Sequence, residues 1–138
     1  MSLVGIIDVG IGNLGSLKGA VYELGFDVGL VREPAGLDEC SSVILPGVGS
    51  FAHGMQAIEA AGLVMPIRAH VDSGRPLLGI CLGMQLLFEE GEEGGIFNGL
   101  GLMPGKVRRF DDRPRLDSVL GPIDQFDQLS LDCGQLGG

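Results

Sequence analysis

At 138 residues the chain is long enough for one domain with a real core and too short for two. Hydrophobic residues at 45% and charged residues at 20% make it a globular rather than a disordered composition, and a net charge of -9 argues against nucleic acid or an anionic membrane as partner. Three cysteines at wide spacing, Cys40, Cys81 and Cys133, suggest neither a disulfide framework nor a zinc site, and fit a reducing, cytoplasmic setting.

Met1-Ser2-Leu3 has no basic segment and leads straight into a strand, so no signal peptide is expected, and no apolar run is long enough to span a bilayer. Leu3 to Asp8 reads as a buried strand ending in a carboxylate. Gly10, Gly12 and Gly15 then match the spacing Gly-x-Gly-x-x-Gly, between a strand and a helix, with Glu33 near the place where a dinucleotide site needs an acid. That signal is weak on its own. Leu14, Leu17, Ala20, Val21 and Leu24 recur at helical spacing, and Gly25 is a fitting stop. Asp27 to Val31 reads as a second strand, Glu33 to Gly36 as a loop, and Val43 to Leu45 as a third strand running into Pro46-Gly47-Val48-Gly49. Two glycines at a strand end let backbone N–H groups turn toward a ligand. Phe51, Met55, Ile58 and Leu63 give a weaker helical pattern, and Leu63 to Val71 a further helix with Pro66 near its first turn.

The chain is organised around Pro76 to Phe88. An apolar run suited to a buried strand passes through Gly79 and Gly83 around a single cysteine, Cys81, and continues as the apolar face of a helix, Leu86, Leu87 and Phe88. Glycines on both sides of a nucleophile, between strand and helix, are the pattern of a nucleophile elbow. The sharp turn crowds the backbone, and glycines remove the Cβ atoms that would clash. Beside the helix N-terminus, free N–H groups stabilise a thiolate and hold the oxyanion formed when it attacks a carbonyl. The alternative is a buried structural cysteine in a strand-to-helix crossover. Glu89 to Gly95 reads as an acidic, glycine-rich loop, Leu100 to Pro104 as a bend, and Lys106 to Phe110 as a last strand. The alternation predicts an α/β fold, a parallel sheet with helices on both faces, whose ligand edge carries the loops at 8–13, 46–49 and 79–83. From Asp111 to Gly138 no period is visible, so residues 1–110 form the domain and 111–138 an irregular tail.

Gly79-Ile-Cys81-Leu-Gly83-Met-Gln85 resembles the nucleophile motif of the class I (triad) glutamine amidotransferases. With Asp8 to Leu14, Leu45 to Phe51 and Gly91 to Gly95, the set resembles the glutaminase subunits of imidazole glycerol phosphate synthases, over about Val4 to Phe110. The resemblance implies a flavodoxin-like fold and hydrolysis of glutamine to glutamate and ammonia through a thioester on Cys81, supplying a cyclase subunit in histidine biosynthesis. It places the oxyanion hole at Gly47, Val48, Gly49 and the N–H of Leu82. It gives the amino-acid end of glutamine to Gln85 and Glu93, and a contact with the cyclase to Asn13. It calls for no cofactor and no metal. Gln85 lies four residues beyond Cys81, one helical turn on the same side, and Glu93 supplies the anion an α-ammonium group needs. Without the resemblance, Glu93 reads as a solvated loop charge and Asn13 as an N-cap. The family's triad histidine and glutamate lie in a later portion. Here His53 and His70 are the only histidines, so this polypeptide is expected to have little or no glutaminase activity. Two further readings stand beside this one: a non-catalytic module that docks on a synthase, and a redox or hydrolytic elbow protein with another substrate.

Overall fold

The structure, a computed structural model, describes residues 2–110, so the expected tail lies outside the described residues. Four strands, β1 (Leu3–Ile7), β2 (Asp27–Val31), β3 (Ser42–Gly47) and β4 (Leu77–Cys81), form one parallel sheet in the order β2-β1-β3-β4. Each is a short run rich in Val, Ile and Leu, which suits a sheet covered on both faces. Side chains alternate between the faces. Val4, Ile6 and Ile44 lie on one side with Val21 of helix α1 (Leu14–Glu23), and Leu14 and Leu17 close over them. Ile7, Val43 and Leu45 lie on the other, under α2 (Pro34–Asp38), α3 (Phe51–Ala60) and α4 (Val64–Asp72) through Leu37, Met55, Ile58 and Ile67. Helices therefore cover both faces. Burying each such side chain contributes about 1.5–3 kcal/mol.

Helix α1 ends as its sequence predicts. Gly25 takes a φ of 89°, and its N–H donates to the Tyr22 carbonyl at 2.9 Å. The expected loop at Glu33 to Gly36 is instead the start of α2, because Pro34 sits in the helix's first turn, where its fixed φ suits a helix and its missing N–H costs nothing. The short α2 is held from outside. Nη1 of Arg75 donates to the carbonyls of Leu37 at 3.3 Å and Cys40 at 3.1 Å, while its Nε donates to Ser73 Oγ at 2.8 Å.

A second, three-stranded sheet departs from expectation. It comprises β5 (Phe88–Gly91), β6 (Phe97–Asn98) and β7 (Met103–Val107), in the order β6-β5-β7. The acidic stretch read as a loop is thus half strand. Glu90 and Glu92 face basic partners across the pair, with Lys106 Nζ at 2.7 Å and Arg108 Nε at 3.4 Å. The last strand begins at Met103 rather than Lys106, and β5–β7 is parallel while β5–β6 is antiparallel. Among the described residues β4 is an edge of the main sheet. Leu78 is exposed there, beside an apolar groove of about 290 Å³ that Leu24 and Phe26 also line.

The turn from α4 into β4 buries a histidine. His70 is 1% exposed, and its Nε2 lies 3.0 Å from the Pro76 carbonyl. A carbonyl only accepts, so Nε2 carries the hydrogen. Burial pushes the His70 pKa below its ordinary 6.5; the Pro76 bond opposes this, and the nearby Arg75 guanidinium adds to it. Above that value the unfolded and native chains are both neutral here, and stability is complete. As pH falls through the window below it, the unfolded chain takes up a proton that the native state refuses, and stability is lost. The urea midpoint is therefore expected to fall between about pH 7 and pH 5, and less steeply in His70→Gln, which keeps a donor for Pro76. An equal slope in both chains would assign the loss to carboxylates instead.

Candidate active site

The nucleophile candidate stands at the end of β4. Cys81 has φ 55° and ψ -120°, and is the one non-glycine residue with positive φ among the described residues. Such a conformation costs about 1–3 kcal/mol and persists only where its surroundings dictate it. The surroundings here are glycines. A Cβ at Gly79 would come 2.6 Å from Met84 Cα, and one at Gly83 would overlap the Leu45 carbonyl oxygen. The elbow is thus packed backbone against backbone, and it pushes the Cys81 side chain out to an exposed position.

The register of β3 against β4 sets Gly47 beside Cys81. A Cβ on Gly47 would lie 3.2 Å from the Gly83 nitrogen, and Gly49 turns with φ 106°. The loop expected to form the oxyanion hole therefore adjoins the cysteine. Leu82 opens the next helix, α5 (Leu82–Gln85), where N–H groups of a first turn have no intrahelical partner. One expectation is corrected: the helix is a single turn that stops at Leu86, and Phe88 belongs to a strand, so the dipole behind Cys81 is that of one turn. In this structure the N–H of Val48 donates to the Ile11 carbonyl.

Gln85 closes the α5 turn and is half-buried. Glu93 follows β5, and its Oε2 accepts from the Phe51 N–H at 3.5 Å, which brings its carboxylate to the first residue of α3, just past the Gly47–Gly49 loop. Asn13 occupies the N-cap position of α1 by its backbone, but its side chain makes no capping bond and is exposed. The Gly-x-Gly-x-x-Gly spacing has a packing explanation. Gly10 turns with φ 82°, and Gly12 lies against Pro46, whose ring carbon would be 3.2 Å from a Cβ there. Asp8 is tied to Arg32 at 2.7 Å. That glycine loop backs the Pro46–Gly49 loop.

The histidines divide. His53 is exposed in the first turn of α3, its N–H donating to Ser50 Oγ at 3.3 Å. His70 bonds to Pro76, at the opposite end of β4 from Cys81, about 16 Å away for a five-residue strand. It cannot serve as base. Among the described residues no cluster of three or more His, Cys, Asp or Glu is arranged to hold a metal ion, and no helix is long and apolar enough to cross a membrane.

The family model of class-I glutamine amidotransferases matches residues 5–121. The chain belongs to that family. The subunit HisH of imidazole glycerol phosphate synthase from Desulfitobacterium hafniense is 51% identical over 108 residues, covering 78% of this chain and 51% of the relative. The HisH subunit from Geobacter metallireducens is 41% identical over 133 residues, covering 95% of this chain and 63% of the relative. The synthase hisHF of Emericella nidulans is 42% identical over 111 residues, covering 80% of this chain and 20% of its own length. A crystal structure of a glutamine amidotransferase superposes with a TM-score of 0.67 at 26% identity, over 77% of this chain and 56% of that one. This amidotransferase chain thus spans about half the length of the curated relatives it matches first. The matches to residue 121 and over 133 residues run further than the motif resemblance, which ends near Phe110.

Sequence reasoning missed two residues that shape the site. Ile11 supplies the carbonyl that engages Val48, and its burial had no signal beyond one isoleucine among glycines. Phe51 carries two signals in the sequence, an apolar helix position and the end of the Leu45 to Phe51 motif, and neither points to its contact with Glu93.

Proposed function

We propose that the chain carries the nucleophile half of a glutaminase site that supplies ammonia to the cyclase subunit of an imidazole glycerol phosphate synthase in the cytoplasm. The single observation behind this reading is the elbow, with Cys81 at φ 55° beside the Gly47–Gly49 loop. Cys81 sulfur adds to the side-chain carboxamide carbon of glutamine, and the carbonyl oxygen becomes an oxyanion. The Leu82 N–H and the Gly47–Gly49 loop hold that oxyanion; Val48 joins only where its N–H leaves Ile11. Collapse breaks the C–N bond and expels ammonia, the nitrogen taking up the proton that the Cys81 thiol gave up on attack. Water then cleaves the C–S bond, giving glutamate and the free thiol. Gln85 and Glu93 hold the amino-acid end, and exposed Asn13 contacts the cyclase.

A chloroketone analogue of glutamine tests this, because the thiolate displaces chloride to form a stable S–C bond without any general acid. It is expected to label Cys81 at least about tenfold faster than chloroacetamide of equal concentration does, and Cys81 to outpace Cys40 with either reagent. Cys40 is buried, its thiol donates to the Gly36 carbonyl at 3.1 Å, and burial pushes its pKa up. No preference for the analogue would remove glutamine as the ligand. A non-catalytic docking module is the second reading, favoured by the distance of His70 from Cys81 and the engaged Val48 amide, and it predicts no preference for the analogue.

A further inference from the structure

We propose that Phe51 is a positioning residue for the glutamine site, fixing the Glu93 carboxylate relative to the Cys81 elbow; the inference rests on the glutaminase reading. Phe51 is the first residue of α3, directly after the loop beside Cys81, and is 1% exposed. Its ring lies in a cradle made by Gly91 at the end of β5 and Gly99 just past β6. A Cβ at Gly91 would stand 2.6 Å from both Cδ atoms, and one at Gly99 would stand 3.0 Å from Cζ. The ring thus seats the β5–β6 hairpin, whose connecting turn carries Glu93. One turn along α3, Gly54 packs against the elbow: a Cβ there would be 3.0 Å from a methyl of Leu86 and 3.1 Å from one of Leu82. The first turn of α3 is therefore wedged between the elbow and the hairpin.

The backbone bond fits the same role. Glu93 Oε2 takes the Phe51 N–H at 3.5 Å, and α3 has its own cap in Ser50, whose Oγ accepts from the His53 N–H. Ser50 takes one orphan donor of that turn and Glu93 another, so the bond serves the helix end and also places the carboxylate, which carries the charge for an α-ammonium group. A merely structural Phe51 would stabilise the fold. A positioning Phe51 also sets the separation between the ammonium site and the thiol, and that separation matters only to a ligand that spans both.

The test uses the two reagents above on the full 138-residue chain. Chloroacetamide needs only the thiol, whereas the chloroketone analogue must reach Cys81 and Glu93 together. In Phe51→Leu, labelling of Cys81 by the analogue is expected to fall about tenfold or more, while chloroacetamide labelling changes less than about twofold. Gly91→Ala, which pushes on the same ring from the hairpin side, is expected to give the same split, and replaces Phe51→Leu if that variant loses its far-UV circular dichroism. Equal changes with both reagents, or none, in a folded variant would overturn the positioning role while the parent chain still prefers the analogue. A parent chain without that preference would overturn the glutaminase reading itself, and this inference with it.

Discussion

Replacing Gly83 with alanine is expected to cost about 3–5 kcal/mol, a large share of the about 5–15 kcal/mol that keeps an ordinary domain folded. The reason is space and not conformation, since Gly83 lies within the α5 turn and has no positive φ. Its added methyl would overlap the carbonyl oxygen of Leu45, a residue 0% exposed in β3. Leu45 cannot retreat, because it lies beside Gly79 in the β3–β4 register and Val43 and Ile44 hold its strand from both faces. A backbone oxygen has no rotamer with which to move away. The contrast is Gly19→Ala in α1, where nothing lies within 4 Å of the new methyl. That change should stabilise by about 0.5–1 kcal/mol, because alanine loses less freedom than glycine in a helix. Urea midpoints of the two variants check the pair. A Gly83→Ala chain as stable as its parent would show that the elbow relaxes, and that its glycines are not imposed by packing.

The second large effect concerns turnover. The 138-residue chain is expected to release ammonia from glutamine about 10⁴-fold or more slowly than an ordinary glutaminase, with or without a cyclase partner. A thiol that adds to an amide needs a proton donor for the departing nitrogen, and a missing base costs several orders of magnitude even where the oxyanion hole and binding remain. His70 is buried at the wrong end of β4. His53 lies at the correct edge but is exposed. Steady-state ammonia release decides the matter. Turnover of ordinary size that is abolished by Cys81→Ala would show that another group acts as base, and loss of that turnover in His53→Ala would name it.

The parallel sheet and its ligand edge were legible because apolar runs bounded by glycines mark strands strongly, and β1, β2 and β3 stand within about two residues of their expected ends. The elbow was legible because only a crowded turn needs glycines at both 79 and 83. The end of α5 was not. Leu86, Leu87 and Phe88 suit a helix or a strand equally, and no glycine or proline marks the change. It is decided by distant partners: the Leu86 carbonyl accepts from the Leu100 N–H at 2.8 Å, and Phe88 pairs with Met103. Pairing across the second sheet also hid β5, since Glu90 looks solvated until Lys106 is placed opposite it. The engagement of Val48 by Ile11 was beyond reach, because no side chain takes part in it.

The strain at Cys81 has a consequence for what can be cut out of the molecule. Apart from the local packing of Gly79 on Met84, what holds its backbone at φ 55° comes from elsewhere in the chain: the Leu45 carbonyl from β3, Gly47 beside it, and the α3 face against Leu82 and Leu86. Residues Arg75 to Glu89 as a free peptide keep every letter of the motif and none of these distant constraints. In water that peptide relaxes to ordinary negative φ, because one unfavourable residue has too little local packing to offset it. The reactive geometry is a property of the assembled sheet, so no short mimic of the motif inherits it.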